Sequence, residues 1–198
     1  MNLPNKLTVM RILLVFVILI ISFLNITGEV LGISIKFLII TIIFKIASIT
    51  DQLDGHLARK NNQITTFGKF LDPIADKILV VTTMLLLVEQ GTLPAWIPII
   101  TIFREFLVSG YRLVEAKEGG KVVAANIWGK IKTVTQMMAL ILMLIDPNKF
   151  FAFTNNKLSL PWMILNIIGS IIMLISVIAC IFSGYTYLKN GKDLFKDR

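Results

Sequence analysis

Residues 160–188 read LPWMILNIIGSIIMLISVIACIFSGYTYL, and none of these side chains carries a charge. A bilayer core about 30 Å thick is crossed by roughly 20 mostly apolar residues in a helix. This stretch is therefore long and apolar enough to span a membrane, and it sets the fold class of the whole chain.

Five further apolar stretches lie upstream of it. Only 16% of the 198 residues are charged, against about 25% in a typical soluble domain. The six predicted spans are Leu7–Ile26, Ile33–Thr50, Phe70–Val88, Leu93–Tyr111, Ala125–Ile145 and Leu160–Leu188. We therefore predict an all-α integral membrane protein with six transmembrane helices, built as a single domain over residues 1–198.

The distribution of Lys and Arg predicts the orientation. With both termini on one side, sixteen of the twenty basic residues fall on that side; Lys36, Lys149 and Lys157 fall opposite, and Lys45 lies mid-span. Basic residues favour the cytoplasmic side, so we expect a multi-pass protein of the cell membrane with cytoplasmic termini. The net charge of +8 suits the anionic cytoplasmic leaflet better than nucleic acid, which is not an expected partner.

Four of the twelve acidic residues cluster in one 26-residue window. Asp51 and Asp54 are three apart at the end of the second helix, and Asp72 and Asp76 are four apart at the start of the third, so each pair shares a helix face. We expect Gly55–Lys69 to be a short cytoplasmic connection that makes the two helices antiparallel neighbours. The two pairs can then converge at the inner edge of the membrane.

Converging carboxylates repel one another unless cations lie between them. Cys180 and His56 are the only cysteine and the only histidine, which excludes a thiolate or imidazole cage. Oxygen ligands alone suit Mg²⁺ or Mn²⁺, and four carboxylates are enough for two ions. The alternative is that these residues are helix-end charges at the headgroup level, where Asp72 and Asp76 would suit the positive end of a helix dipole.

The full string is Asp51-Gln52-Leu53-Asp54-Gly55-His56-Leu57-Ala58-Arg59, eight residues, Gly68, three residues, Asp72, three residues, Asp76. It resembles the signature of the CDP-alcohol phosphatidyltransferases, D-x2-D-G-x2-A-R-x8-G-x3-D-x3-D, at every fixed position. Similarity to the bacterial phosphatidylglycerophosphate synthases of this family extends to residues 2–8 with Arg11, residues 104–112, residues 129–133 with Gln136, and Ser183-Gly184 with Tyr187.

The resemblance implies the fold of that family, a cytoplasmic-face active site, a homodimer and two divalent cations. It implies that Asp51 and Asp72 bridge the two metals, that Asp54 completes one site, and that Asp76 contacts the second metal and acts as the base. The implied contacts to CDP-diacylglycerol are Asn5, Gly55, Ala58, Arg59, Thr65 and Gly68.

The same resemblance implies that the acceptor phosphate is held by Arg104, Arg112, Lys130 and Lys132. A cationic cluster at helix ends would also arise from plain anchoring to lipid headgroups. The implied activity is transfer of the phosphatidyl group of CDP-diacylglycerol to sn-glycerol 3-phosphate, with release of CMP. The alternatives are another acceptor (serine, inositol phosphate or phosphatidylglycerol) or, from a different class, a cation or proton transporter.

Overall fold

The computed structural model describes residues 3–60, 66–117, 127–146, 148–152 and 158–190, with side chains outside the description at 3–4, 51–60, 66–70, 72, 113–117 and 190. Within these ranges the chain forms six helices and one short hairpin. In chain order they are α1 (Leu3–Phe23), β1 (Glu29–Val30), β2 (Ile33–Ser34), α2 (Ile35–Lys60), α3 (Thr66–Glu89), α4 (Trp96–Lys117), α5 (Ile127–Ile145) and α6 (Leu160–Asn190).

Each of the six predicted spans lies largely on one helix, although α1 ends at Phe23 and α4 begins only at Trp96. The boundaries around the acidic motif differ most from the expectation. Helix α2 continues to Lys60 and α3 begins at Thr66, so Gly55–Lys69 is not one connecting loop. Leu57, Ala58 and Arg59 are good helix formers, and a single glycine costs a helix only about 1 kcal/mol. The motif therefore lies on two helices rather than on a helix and a loop.

Two helix ends follow from local chemistry. Gly91 has φ +76°, a left-handed conformation that glycine adopts without steric cost. Thr92 and Leu93 then donate to the Leu87 carbonyl and close the last turn of α3. Helix α5 ends before Asp146, whose carboxylate accepts from the backbone and side chain of Asn148.

The buried core draws on all six helices. It includes Val15 (α1), Phe44 (α2), Leu79 (α3), Ile97 (α4), Leu140 (α5) and Met173 (α6). Large apolar side chains also cover the outside of α6, where Ile168, Ile171, Ile175 and Ile178 are exposed. An apolar outer surface of this kind suits contact with lipid.

By length and composition, three helices within the described residues are apolar enough to cross a membrane: Asn5–Phe23, Ile127–Ile145 and Leu160–Lys189. Helices α2, α3 and α4 do not reach that apolar threshold within the described residues, and their crossing of the bilayer stays a prediction. The β1–β2 hairpin, antiparallel with Glu29 opposite Ser34, was not predicted. It lies where α1 ends and α2 begins, next to Trp162 at the start of α6.

Candidate active site

A cavity of about 680 Å³ opens at the end of the bundle where α3 and α5 begin and α4 and α6 end. These four helices supply its walls. Its polar lining comprises Asp76, Lys77, Thr101, Arg104, Glu105, Arg112, Lys130, Lys132, Thr133, Gln136 and Tyr187. The predicted base and all four predicted acceptor-binding residues therefore line one cavity.

Asp76 lies on α3 with 43% of its side chain exposed, and Oδ1 accepts from Nη1 of Arg11 at 2.5 Å. Arg11 on α1 is fully buried. A buried guanidinium needs a counter-ion, so this ion pair holds the carboxylate at the wall of the cavity. Arg11 was known from the sequence only as part of the resemblance, and its partner was not predicted.

Of the four motif carboxylates, Asp76 is the one whose side chain the structure describes. Asp51 and Asp54 lie three residues apart on α2, and Asp72 and Asp76 four apart on α3, and α2 and α3 are in contact. In the part of the chain with described side chains, no group of three or more His, Cys, Asp or Glu residues forms a metal site. The donor set, four carboxylates on two helix faces, fits a hard divalent cation.

Glu105 on α4 is the centre of a cluster of cations. Its Oε1 accepts from Lys132 Nζ at 2.8 Å and from Arg104 Nη1 at 2.9 Å, and its Oε2 lies 3.7 Å from Lys77 Nζ. We call these four residues the Glu105 cluster. It links α3, α4 and α5, and three positive charges against one negative leave it with a net charge of +2.

Arg104, which lies on α4, is also held in place by a contact with α6. Its Nη2 donates to the hydroxyl of Ser183. A Cβ added at Gly129 would lie 3.2 Å from Nη2, and one added at Gly184 would lie 3.5 Å from Cγ. Because neither glycine has a side chain, a groove stays open between α5 and α6, and the side chain of Arg104 occupies it.

Arg112 and Lys130 differ from Arg104 and Lys132. In the described part of the chain neither forms an ion pair with a carboxylate, and both are exposed to the cavity. Arg112 instead donates from Nη2 to the hydroxyl of Tyr187 at 2.7 Å. The four predicted acceptor residues thus divide into two charge-compensated cations and two uncompensated ones.

The predicted donor contacts are not brought together by the described side chains. Asn5 is buried near the start of α1 and does not line this cavity. Gly55, Ala58 and Arg59 lie on α2 and Gly68 on α3, with side chains outside the description, and Thr65 lies outside the described residues altogether. Their roles stay predictions.

Sequence reasoning assigned no site role to Lys77, Glu105 or Tyr187, all of which line the cavity. One signal was available for Glu105, because an ionisable residue inside a predicted span is a functional candidate. Tyr187 was marked only as part of the family resemblance, and its contact with Arg112 joins positions 75 residues apart.

Residues 1–182 match the protein family described as CDP-alcohol phosphatidyltransferase. The chain belongs to this family. The CDP-alcohol phosphatidyltransferases are membrane proteins that generally use divalent metal ions, which agrees with the apolar helices and the carboxylate pairs described above. This chain is therefore a membrane protein of the phosphatidyltransferase type.

Curated relatives of this CDP-alcohol phosphatidyltransferase carry one name, CDP-diacylglycerol--glycerol-3-phosphate 3-phosphatidyltransferase. The Bacillus subtilis (strain 168) relative is 39% identical over 202 residues, covering 98% of this chain and 97% of the relative. The Haemophilus influenzae relative is 38% identical over 200 residues, covering 99% and 96%. The Escherichia coli (strain K12) relative is 39% identical over 153 residues, covering 74% and 79%.

Proposed function

We propose that this protein transfers the phosphatidyl group of CDP-diacylglycerol to sn-glycerol 3-phosphate, giving phosphatidylglycerophosphate and CMP. The observation that carries the proposal is the shared cavity, in which a carboxylate, Asp76, lies beside cations suited to an anionic acceptor. The relatives that align over almost their whole length are named for the same reaction. A transporter is not favoured, because the family is one of transferases.

In the proposed reaction, a hydroxyl oxygen of the acceptor attacks the phosphorus that bears diacylglycerol. A new P–O bond forms, the P–O bond to CMP breaks, and the hydroxyl proton passes to Asp76. Asp76 lines the cavity with 43% of its side chain exposed, which places the carboxylate where it can accept that proton.

The donor would be held by the motif helices. Asp51, Asp54, Asp72 and Asp76 would hold two divalent cations, Mg²⁺ or Mn²⁺, which when bound neutralise the diphosphate and the charge that develops on it. Arg59 would contact the diphosphate, and the small residues Gly55 and Ala58 would allow the nucleotide close to α2. Asn5, Thr65 and Gly68 complete the proposed donor contacts.

The acceptor phosphate would be held by Arg104, Arg112, Lys130 and Lys132. A phosphate monoester carries a charge of about −1.5 to −2 at neutral pH, which complements a cavity with an excess of cations. Serine and phosphatidylglycerol lack a phosphate monoester and would make less use of these residues. The excess of cations in the cavity therefore favours glycerol 3-phosphate over serine and phosphatidylglycerol as the acceptor.

We further propose that residues 1–198 form a single domain, that both termini and the active site face the cytoplasm, and that the protein is a homodimer in the cell membrane. The excess of basic residues at the site end supports the orientation. An active site at the inner membrane edge lets the acyl chains of the donor stay in the bilayer. The polar acceptor can enter from the cytosol.

The test is an acceptor panel. Purified protein in detergent with CDP-diacylglycerol and Mg²⁺ is given glycerol 3-phosphate, glycerol, serine or inositol phosphate, and CMP release is measured with the mass of the lipid product. We expect CMP release with glycerol 3-phosphate at a rate far above the others, and loss of activity with a chelator that Mg²⁺ or Mn²⁺ restores. Preferred use of another acceptor would overturn the proposal.

A further inference from the structure

Arg112 occupies an unusual position among the charged residues of the cavity. It lies eight residues beyond Arg104 on α4, or about 12 Å further along the helix axis, near the end of the bundle where the cavity opens. Arginine has a long side chain with many rotamers, and holding it in one geometry costs conformational entropy. A neighbouring group must therefore hold the guanidinium in one orientation if it is to bind a ligand with defined geometry.

The side chain that fixes it is Tyr187 on α6. The phenol oxygen accepts from Arg112 Nη2 at 2.7 Å, and the guanidinium carbon lies 5.5 Å from the centre of the ring. Both distances fall within the range of favourable interactions, a hydrogen bond and a cation–π contact. The tyrosine therefore holds the arginine by its hydroxyl and by its ring.

Tyr187 is itself rigidly placed. It is only 2% exposed, and its ring packs edge-to-face against Tyr111 with 5.8 Å between ring centres. A buried tyrosine hydroxyl needs a hydrogen-bond partner, and Arg112 supplies one. The contact joins α4 to α6 at the wall of the cavity.

Tyr187 also differs from the partner of Arg104 and Lys132 in its charge. Arg104 and Lys132 are paired with the Glu105 carboxylate, which offsets part of their charge. A phenol is neutral and accepts from only one of the five N–H groups of arginine. Toward the residues with described side chains, Arg112 therefore keeps its full charge and four N–H groups for a ligand, in the planar fork that suits phosphate oxygens.

We infer that Tyr187 is a positioning residue for the acceptor, orienting Arg112 toward the phosphate monoester without neutralising it. This inference rests on the proposed function, since it assigns the phosphate to the acceptor. It predicts that the tyrosine hydroxyl affects acceptor binding and leaves donor binding and the chemical step unchanged.

The experiment compares Tyr187→Phe with Tyr185→Phe, because Tyr185 lies on the same helix but is exposed. The KM values for glycerol 3-phosphate and CDP-diacylglycerol, and kcat, are measured for both variants and the wild type. We expect Tyr187→Phe to raise the acceptor KM about threefold to tenfold, the loss typical of one hydrogen bond. The donor KM and kcat stay within about twofold of wild type in this variant, and Tyr185→Phe has no effect.

A double variant tests whether Tyr187 acts through Arg112. If it does, adding Tyr187→Phe to Arg112→Ala raises the acceptor KM no further, because the group that the hydroxyl orients is gone. Independent, multiplying effects would overturn the inference, as would an unchanged acceptor KM in Tyr187→Phe alone. A wild-type protein that does not use glycerol 3-phosphate would overturn the proposed function and this inference with it.

Discussion

Asp76 lies between the buried guanidinium of Arg11 and the cavity. One carboxylate oxygen accepts from Arg11, and 43% of the side chain is exposed where it lines the cavity. A group placed in this way is anchored by an ion pair and lies within reach of a substrate hydroxyl. Asp51 lies three residues from Asp54 on α2, and its proposed role is to hold metal on the donor side.

We therefore expect Asp76→Asn and Asp51→Asn to impair different steps of the reaction. Asp76→Asn should still bind CDP-diacylglycerol and lose kcat by about 100-fold or more, the contribution of a general base. Asp51→Asn should lose donor binding along with turnover, because Asp51 is a proposed bridge between both metals, whereas Asp76 contacts only one of them. Donor titration by calorimetry beside turnover assays distinguishes the two. Equal loss of donor binding in both variants would mean that Asp76 is a ligand and not the base.

Arg112 and Lys130 are the cations whose charge no described carboxylate offsets. Arg112→Ala and Lys130→Ala should each raise the KM for glycerol 3-phosphate about tenfold to a hundredfold, the cost of one charge-assisted contact to phosphate. The KM for CDP-diacylglycerol should change much less. Steady-state kinetics with each substrate varied in turn is the measurement, and an unchanged acceptor KM in both variants would remove them from the acceptor site.

At the scale of the helices, the Glu105 cluster links α3, α4 and α5 and contains two of the four proposed acceptor cations, Arg104 and Lys132. Lys132 is only 8% exposed in its side chain, and Glu105 16%. Buried cations of this kind are tolerated because a carboxylate lies among them. The cluster therefore contributes to stability as well as to the shape of the cavity.

Glu105→Gln should destabilise the protein by about 3 kcal/mol, since removing one partner leaves buried charges uncompensated. Glu89→Gln is the matched control, because Glu89 is exposed at the end of α3 and forms no ion pair within the described residues. Thermal unfolding in detergent reports the difference. If the two variants unfold at the same temperature, the cluster does not stabilise the bundle.

The presence of the six helices and of the acidic motif could be predicted from the sequence, because the length of an apolar stretch and a spacing of three or four residues are local properties. The partners of the charged residues could not be predicted. Glu105 meets Lys132 27 positions away and Arg112 meets Tyr187 75 positions away, and these contacts depend on how α4, α5 and α6 are rotated against one another. The end of α2 was missed because the predicted apolar span stopped at Thr50, where the polar motif begins, although the helix continues to Lys60.

For the whole molecule, the charge asymmetry predicts that the site end faces the cytoplasm. In a Cys180→Ser background, Lys149→Cys near the end of α5 should react with a membrane-impermeant maleimide in intact cells. Lys189→Cys near the end of α6 should react with the maleimide only after the membrane is permeabilised. The opposite labelling pattern would invert the proposed topology and place the acceptor cavity outside the cell.

The proposed reaction requires that an acceptor hydroxyl, directed by this cavity, attacks the phosphatidyl phosphorus. The most direct test uses glycerol 3-phosphate with ¹⁸O in the primary hydroxyl, followed by mass spectrometry of the lipid and the nucleotide. We predict that the label is retained in the phosphodiester of phosphatidylglycerophosphate and that the CMP is unlabelled and equimolar with the lipid. Unlabelled lipid, labelled CMP or CMP formed without lipid product would contradict the account.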